Sequence, residues 1–279
     1  MLFKNLGFWL LAPSAAASAV DAPNGRHVRR DRSSGNWCGQ VLHGNIFRDV
    51  SSAWVMPKSW PLPAQYSAQP IYNYQWVGID GASDQCQAIL QAGTYARVRA
   101  RVVCVSNRDN KMQNNVLTYG FWYEFYPKDS WLMTEPVGKH GPQLFASRLR
   151  LTVALQVNPG DSVFVQVKAY NSTSGYAYMK NLSTGKDITI PMDAPDGYSL
   201  CGSTAEWIQE DASASGTSGL APFNTFSFEY CSASDAYGYN YNLEGSEKWY
   251  MHPLNSDKIC YPSNVSGGSV QINYSGPTA

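Results

Sequence analysis

Charge is scarce in this sequence: only 15% of its 279 residues are Asp, Glu, Lys or Arg, and 21 basic residues balance 21 acidic ones. No basic run approaches what neutralising a phosphate backbone needs, which excludes a nucleic-acid partner. Beyond the N-terminus no apolar run reaches the roughly 20 residues of a membrane helix, so no membrane span is expected. Amphipathic helices of about ten residues or more are also missing. Histidine is rare, with four in all; His27 lies near the N-terminus, while His43, His140 and His252 sit in polar surroundings and read as surface residues. The absence of H-E-x-x-H excludes a zincin, and the absence of G-x-S-x-G argues against an α/β-hydrolase. The Asp-Thr-Gly or Asp-Ser-Gly pair of pepsin-like enzymes is missing too. No C-x-x-C pairs with partner histidines occur, so neither a structural metal nor an organic cofactor is implied. Any catalysis must run on carboxylates and amides.

What is present is apolar and aromatic. Apolar residues make up 44%, with 18 Tyr, 9 Trp and 23 Gly, a composition that suits a packed core of strands and turns. At the N-terminus Lys4 precedes an apolar stretch, Leu6 to Ala12, and then the small residues Ala17-Ser18-Ala19. That order reads as a secretory signal peptide over 1–19, too short to span a bilayer. Residues 20–32 carry Arg26, Arg29, Arg30 and Arg32 and little that is apolar, so they read as a basic prosegment with Arg29-Arg30 as a processing site. Removing residues 1–32 takes away five basic and two acidic residues and leaves a surplus of three acids. The mature protein, 33–279, is expected to be secreted and monomeric. Six cysteines (Cys38, Cys86, Cys104, Cys201, Cys231, Cys260) are expected to form disulfides, with fifteen connectivities open. Four sequons, at Asn171, Asn181, Asn264 and Asn273, mark expected surface positions.

From residue 33 onward the pattern is of short alternating segments broken by Gly, Pro and Asn. Val50 to Val55, Ala96 to Val102, Phe121 to Tyr126, Ser162 to Tyr170 and Ala205 to Glu210 all alternate with period 2. This argues half-buried antiparallel strands. Pro57 to Pro70 and Lys128 to Gln143 read as loops. Many strands with no βαβ rhythm and no compositional break predict one all-β domain, an antiparallel two-sheet β-sandwich of the lectin-like kind.

Two clusters stand out. One is Gln75-Trp76-Val77-Gly78-Ile79-Asp80-Gly81, followed by Cys86 and Ile89-Leu90-Gln91-Ala92-Gly93. The other is Leu200-Cys201 followed by Ala205-Glu206-Trp207-Ile208-Gln209-Glu210-Asp211. On a strand, Glu206, Ile208 and Glu210 share one face. With Asn36-Trp37, Ala53 to Pro57, Trp122 to Pro127, Asn181-Leu182 with Thr184-Gly185, and Pro222-Phe223 with Phe226, these stretches run in order through most of the mature chain. Together they resemble the glutamic peptidases (eqolisins), secreted acid-acting endopeptidases.

The resemblance implies two stacked seven-stranded antiparallel sheets whose concave face holds a protein or peptide substrate. It implies a catalytic dyad of Gln91 and Glu210, substrate-binding positions at Trp76, Asp80, Trp122 and Glu124, and a Cys86–Cys201 disulfide. The other cysteines would then pair as Cys38–Cys104 and Cys231–Cys260. The chemistry follows from the side chains: Glu210 can take a proton from water and return it to the leaving amine, while the Gln91 amide donates to the oxyanion. An ordinary Glu titrates near 4.3, which predicts an acidic optimum. The chain departs from the family where Tyr95 and Gly120 stand in place of acids. The segment from Lys128 to about Arg148 is longer than usual and could form a loop over the cleft.

Two other functions compete. A β-sandwich glycoside hydrolase would use Glu206 and Glu210, about 13 Å apart along a strand, whereas glycosidase carboxyls work at about 5–9.5 Å; Ile208 stands where that motif wants an acid. A non-catalytic carbohydrate- or peptide-binding module would present Trp76, Trp122 and Tyr126 as an aromatic face.

Overall fold

A computed structural model of the chain describes residues 31–61, 71–83, 86–103, 112–133, 155–211, 220–252 and 259–276. Within them the backbone forms sixteen strands and no helix. The first eight are β1 (Arg32–Ser34), β2 (Trp37–His43), β3 (Phe47–Val55), β4 (Ile71–Ile79), β5 (Ile89–Val103), β6 (Met112–Tyr126), β7 (Trp131–Leu132) and β8 (Ser162–Ala169). They are followed by β9 (Ser174–Asn181), β10 (Lys186–Asp193), β11 (Thr204–Asp211), β12 (Phe226–Asp235), β13 (Asn240–Tyr241), β14 (Glu247–Met251), β15 (Cys260–Pro262) and β16 (Val270–Tyr274). The expected signal peptide lies outside the described residues, as do Cys104, His140 and most of the expected prosegment. The prosegment boundary after Arg32 falls inside β1, which pairs in parallel with β14.

The strands join edge to edge in one continuous order, β10-β9-β8-β3-β12-β16-β15-β14-β2-β11-β4-β5-β6-β7. Every neighbouring pair on that path is antiparallel. Two separate seven-stranded sheets are therefore not what forms; a single antiparallel sheet curls back on itself. The turn is made in β12, whose Phe226–Phe228 pair with β16 while Glu229–Asp235 pair with β3. Register slips between Glu229 and Ser232, where Tyr230 has a φ of 54°. An extra residue of this kind bends a strand and raises its twist, so one strand can serve both arms of the curl.

Period-2 alternation decides what each strand buries. In β4, β5, β6 and β11 one set of side chains (Val77, Ile79, Leu90, Ala92, Phe121, Phe125, Ala205, Trp207) enters the main core against β3, β8 and β9. The intervening set (Tyr74, Trp76, Tyr95, Trp122, Ile208) forms a second, largely aromatic cluster on the opposite face. A buried polar chain ties the layers and the register together. The Trp54 indole donates to Thr94 Oγ1, that hydroxyl donates to Gln75 Oε1, and Gln75 Nε2 donates to Gln209 Oε1. Trp207 donates to the Ser51 carbonyl in the facing arm. Since a one-residue slip would turn every one of these groups to the wrong face, the register is strongly specified. Gly93, opposite Trp76, leaves no room for a Cβ, which would collide with the Gln75 carbonyl.

Cys86 is bonded to Cys201, which anchors the loop before β5 to the loop before β11. Cys38 is bonded to Cys260 and not to Cys104. Cys231 is a buried free thiol beside the Ser52 hydroxyl, not a partner of Cys260. The reason is topological: β15 lies next to β14, which lies next to β2, and this brings Cys260 over Cys38. Asn181 also departs from expectation. It is fully buried, donating to the Gln156 carbonyl and Asp161 and accepting from the Ser183 and Thr184 amides, so its side chain is committed to the hairpin.

A non-reduced digest is expected to yield Cys38 linked to Cys260, and Cys231 to be alkylated only after unfolding. Replacing Cys38 and Cys260 by Ser should cost about 2–5 kcal/mol in denaturant unfolding, since the bridge closes a loop spanning 222 residues.

Candidate active site

The aromatic face of β2, β11, β4, β5 and β6 floors a cleft of about 660 Å³. Gln91 from β5, Glu124 from β6 and Glu210 from β11 all open into it, among Trp37, Tyr72, Tyr74, Trp122, Tyr126 and Trp249. Odd positions of β5 and even positions of β6 and β11 share this face, so the three polar side chains arrive together from distant parts of the chain. Gln91 and Glu124 are direct cross-strand partners, whereas Glu210 lies beyond β4.

Glu210 is held from two sides. Trp76 Nε1 donates to Oε2 at 2.8 Å, and Asn36 Nδ2 donates to Oε1 at 3.2 Å. Burial pushes its pKa up to about 7; the Trp76 and Trp37 indoles oppose the shift, and the Glu124 and Asp211 charges add to it. Glu124 is also pushed up to about 7, chiefly by burial, with its hydrogen bond from Gln91 opposing and Asp129 adding. Gln91 is 4% exposed; its Nε2 donates to Glu124 Oε2 at 2.5 Å, and its buried Oε1 has no partner. The arrangement can hold a water against a carboxylate and offer an amide N–H to a developing oxyanion.

The remaining expected site residues divide. Trp122 lines the cleft and donates to the Thr94 carbonyl. Trp76 is fully buried behind it and reaches the cleft only through Glu210. Asp80 is fully buried with a φ of 69° at the end of β4, and does not line the cleft. Its carboxylate accepts from the Cys201, Gly202 and Ser203 amides and from the Ser203 hydroxyl. Asp80 thus fixes the loop that carries the second cysteine of the Cys86–Cys201 bridge.

Glu206 shares the face of Glu210 but is fully buried. Burial holds its pKa well above the ordinary range; the Thr204 hydroxyl opposes the shift and the charge of Asp80 adds to it. It lines no cleft, so Glu206 and Glu210 do not form the pair of working carboxylates expected of a glycoside hydrolase. Trp76 is buried, so of the aromatic face expected for a binding module only Trp122 and Tyr126 reach the cleft.

Sequence reasoning did not single out Asn36, Tyr74 or Trp249 as site residues. Asn36 reaches Glu210 across 174 residues of sequence, a pairing that no local pattern announces. Tyr74 packs at 4.7 Å against Trp122 and at 6.0 Å against Tyr95. The two departures, Tyr95 and Gly120, face each other across β5 and β6. Tyr74 stands between Tyr95 and Glu210, and burial leaves its phenol protonated far past its ordinary range. Among the described residues no group of three or more His, Cys, Asp or Glu side chains could hold a metal ion.

Comparison with known proteins places the chain in a family. The model of the Peptidase A4 family matches residues 35–274. Aspergillopepsin-2 from Aspergillus niger is 26% identical over 86% of this chain and 78% of its own length. Scytalidopepsin B from Scytalidium lignicola is 28% identical over 93% of this chain and 86% of its own. Among solved structures, scytalido-glutamic peptidase with a transition state analog inhibitor superposes with a TM-score of 0.62 at 27% identity, covering 87% of this chain and 99% of that one. Aspergilloglutamic peptidase from Aspergillus niger gives a TM-score of 0.54 at 26% identity, covering 73% and 99%.

The raised carboxyls make a prediction about stability. A group whose pKa is higher folded than unfolded adds stability that is complete below the unfolded value, near 4.3, and is lost as pH rises through the folded value. For Glu124 and Glu210 that window closes at about pH 7, and each shift is worth at most about 4 kcal/mol. Tm is therefore expected to fall between pH 4 and pH 8. Glu206→Gln should raise Tm at pH 8 while leaving it nearly unchanged at pH 4; equal effects at both values would show that Glu206 does not drive the loss.

Proposed function

Because the chain belongs to the Peptidase A4 family and is a hydrolase of the glutamic peptidase type, we propose that Gln91 and Glu210 are its catalytic dyad in cutting protein and peptide substrates. One observation carries this reading: an amide and an acid from separate strands open into the same cleft, with the acid gripped by Trp76 and Asn36. Glu210 accepts a proton from a water as that water attacks the scissile carbonyl, and then returns the proton to the leaving amine. Gln91 donates an N–H to the oxygen that gains charge; because the amide stays neutral, this donor survives at low pH. The two arms of the curled sheet act as the two layers of a sandwich, with the cleft on the outer face of one. A solved relative holds a tripeptide, Ala-Ile-His, which supports an extended peptide as the ligand here. In the same reading the protein is a secreted monomer, made with a signal peptide over 1–19 and a basic prosegment over 20–32, and Trp122 and Glu124 line the substrate's path.

The pH behaviour follows from the raised carboxyls. Burial raises both Glu124 and Glu210 to about 7, and the Glu124 charge adds to the shift at Glu210; the mechanism asks Glu210 to be ionised, and apparent pKa values belong to the pair.

Gln91→Ala is expected to lower kcat on casein by about 10²–10³, the usual cost of one oxyanion donor. Glu210→Gln should abolish turnover at every pH while circular dichroism stays native; full proteolysis by either folded variant would overturn the assignment. For the wild type, kcat/KM should trace a bell that falls as pH rises through about 7, and chelators should leave it unchanged.

A further inference from the structure

The Gln91–Glu124 contact carries more than a wall of the cleft. A glutamine amide can turn over about its last bond, presenting either oxygen or nitrogen to a neighbour, and only one presentation suits an oxyanion donor. Something must therefore fix it. In this structure Nε2 donates to Glu124 Oε2, while the buried Oε1 is left without a partner. A buried amide oxygen with no donor costs about 1–3 kcal/mol, so a donor to Oε1 is favoured here.

We propose that Glu124 is a positioning residue that works as the neutral acid: its carbonyl oxygen accepts from Gln91 Nε2, its own O–H donates to Gln91 Oε1, and the second N–H of Gln91 is thereby aimed at the reacting carbonyl. This rests on the assignment of Gln91 and Glu210 as the dyad. The paired bonds satisfy the orphan oxygen and lock the amide against flipping. They also hold Glu124 without a charge beside the position where the oxyanion develops. Loss of the proton removes one of the two bonds and sets a negative charge next to that oxygen.

The surroundings of Glu124 favour the proton. From β11 it meets Glu210, from the turn after β6 Asp129, from β4 the un-ionised Tyr74, and from β6 itself Tyr126; β5 contributes the neutral Gln91, and β7 brings only Trp131 and Leu132. Lys128, the nearest cation in sequence, turns its ammonium to the Asp193 and Ala194 carbonyls. Burial then raises Glu124 to about 7, which leaves it protonated across the acidic range.

The test compares Glu124→Gln with Glu124→Ala on a peptide substrate from pH 3 to pH 8, with the fraction folded followed by near-ultraviolet circular dichroism. A glutamine can still accept and donate to the Gln91 amide but cannot ionise. Glu124→Gln is expected to keep kcat within about threefold at acid pH and to move the alkaline limb of the profile up by more than about one pH unit. Glu124→Ala should lose kcat by about 10–100-fold with KM little changed, the usual scale for a partner that orients a reacting group. A Glu124→Gln enzyme as slow as Glu124→Ala, or one whose alkaline limb does not move, overturns the proposal, and so does a change confined to KM. Gln91→Ala run alongside separates the two ideas: if that variant stays active the dyad itself has failed, and if it is dead while Glu124→Gln behaves as Glu124→Ala, only the positioning role has.

Discussion

Strict alternation along β4, β5, β6 and β11 is the constraint on which the rest of the structure depends. Each strand must supply one face to the core between the two arms of the sheet and the other to the cleft, and neither face can borrow from the other. The buried chain from Trp54 through Thr94 and Gln75 to Gln209 makes that choice hard to undo. These groups would be stranded without partners if any one strand slipped by a residue. Gln91, Glu124 and Glu210 reach the cleft because their immediate neighbours Leu90, Phe125 and Gln209 are committed to the interior.

Burial of acids is the second theme, and it is used in two opposite ways. Asp80 sits in the interior with four donors around its carboxylate, so it serves as a structural clasp between the end of β4 and the Cys201 loop. Glu124, Glu206 and Glu210 have few donors, and desolvation raises all three. A protein arranged in this way is matched to acid in its stability, because each of the three carboxyls is held more easily without a charge in the folded chain. Its low charge content alone could not have established that, since the effect comes from where three particular carboxyls are placed.

The aromatic floor links these themes. Trp37, Tyr74, Trp76, Trp122 and Trp249 pack around the carboxyls, and three of them also turn an indole N–H to an acid, Trp76 and Trp37 to Glu210 and Trp249 to Glu247. Large rings with one polar edge suit such a position, since the body supplies the low dielectric and the edge supplies a donor.

Read alone, the residues determined the all-β class, the strand segments with their inward and outward faces, and the two motifs that carry Gln91 and Glu210. These are local properties: a period of two shows within six residues, and a motif is contiguous. Tertiary structure decided everything that depends on which strands become neighbours. It joined two expected sheets into one through the bend at Tyr230, paired Cys38 with Cys260, left Cys231 as a thiol, sank Asn181, and brought Asn36 onto Glu210. It also separated Glu206 from Glu210, which share a face and a spacing that sequence cannot tell apart. Only the neighbouring strands determine that one carboxyl is roofed over while the other opens into a cleft, because solvent access belongs to the packed assembly and not to the strand.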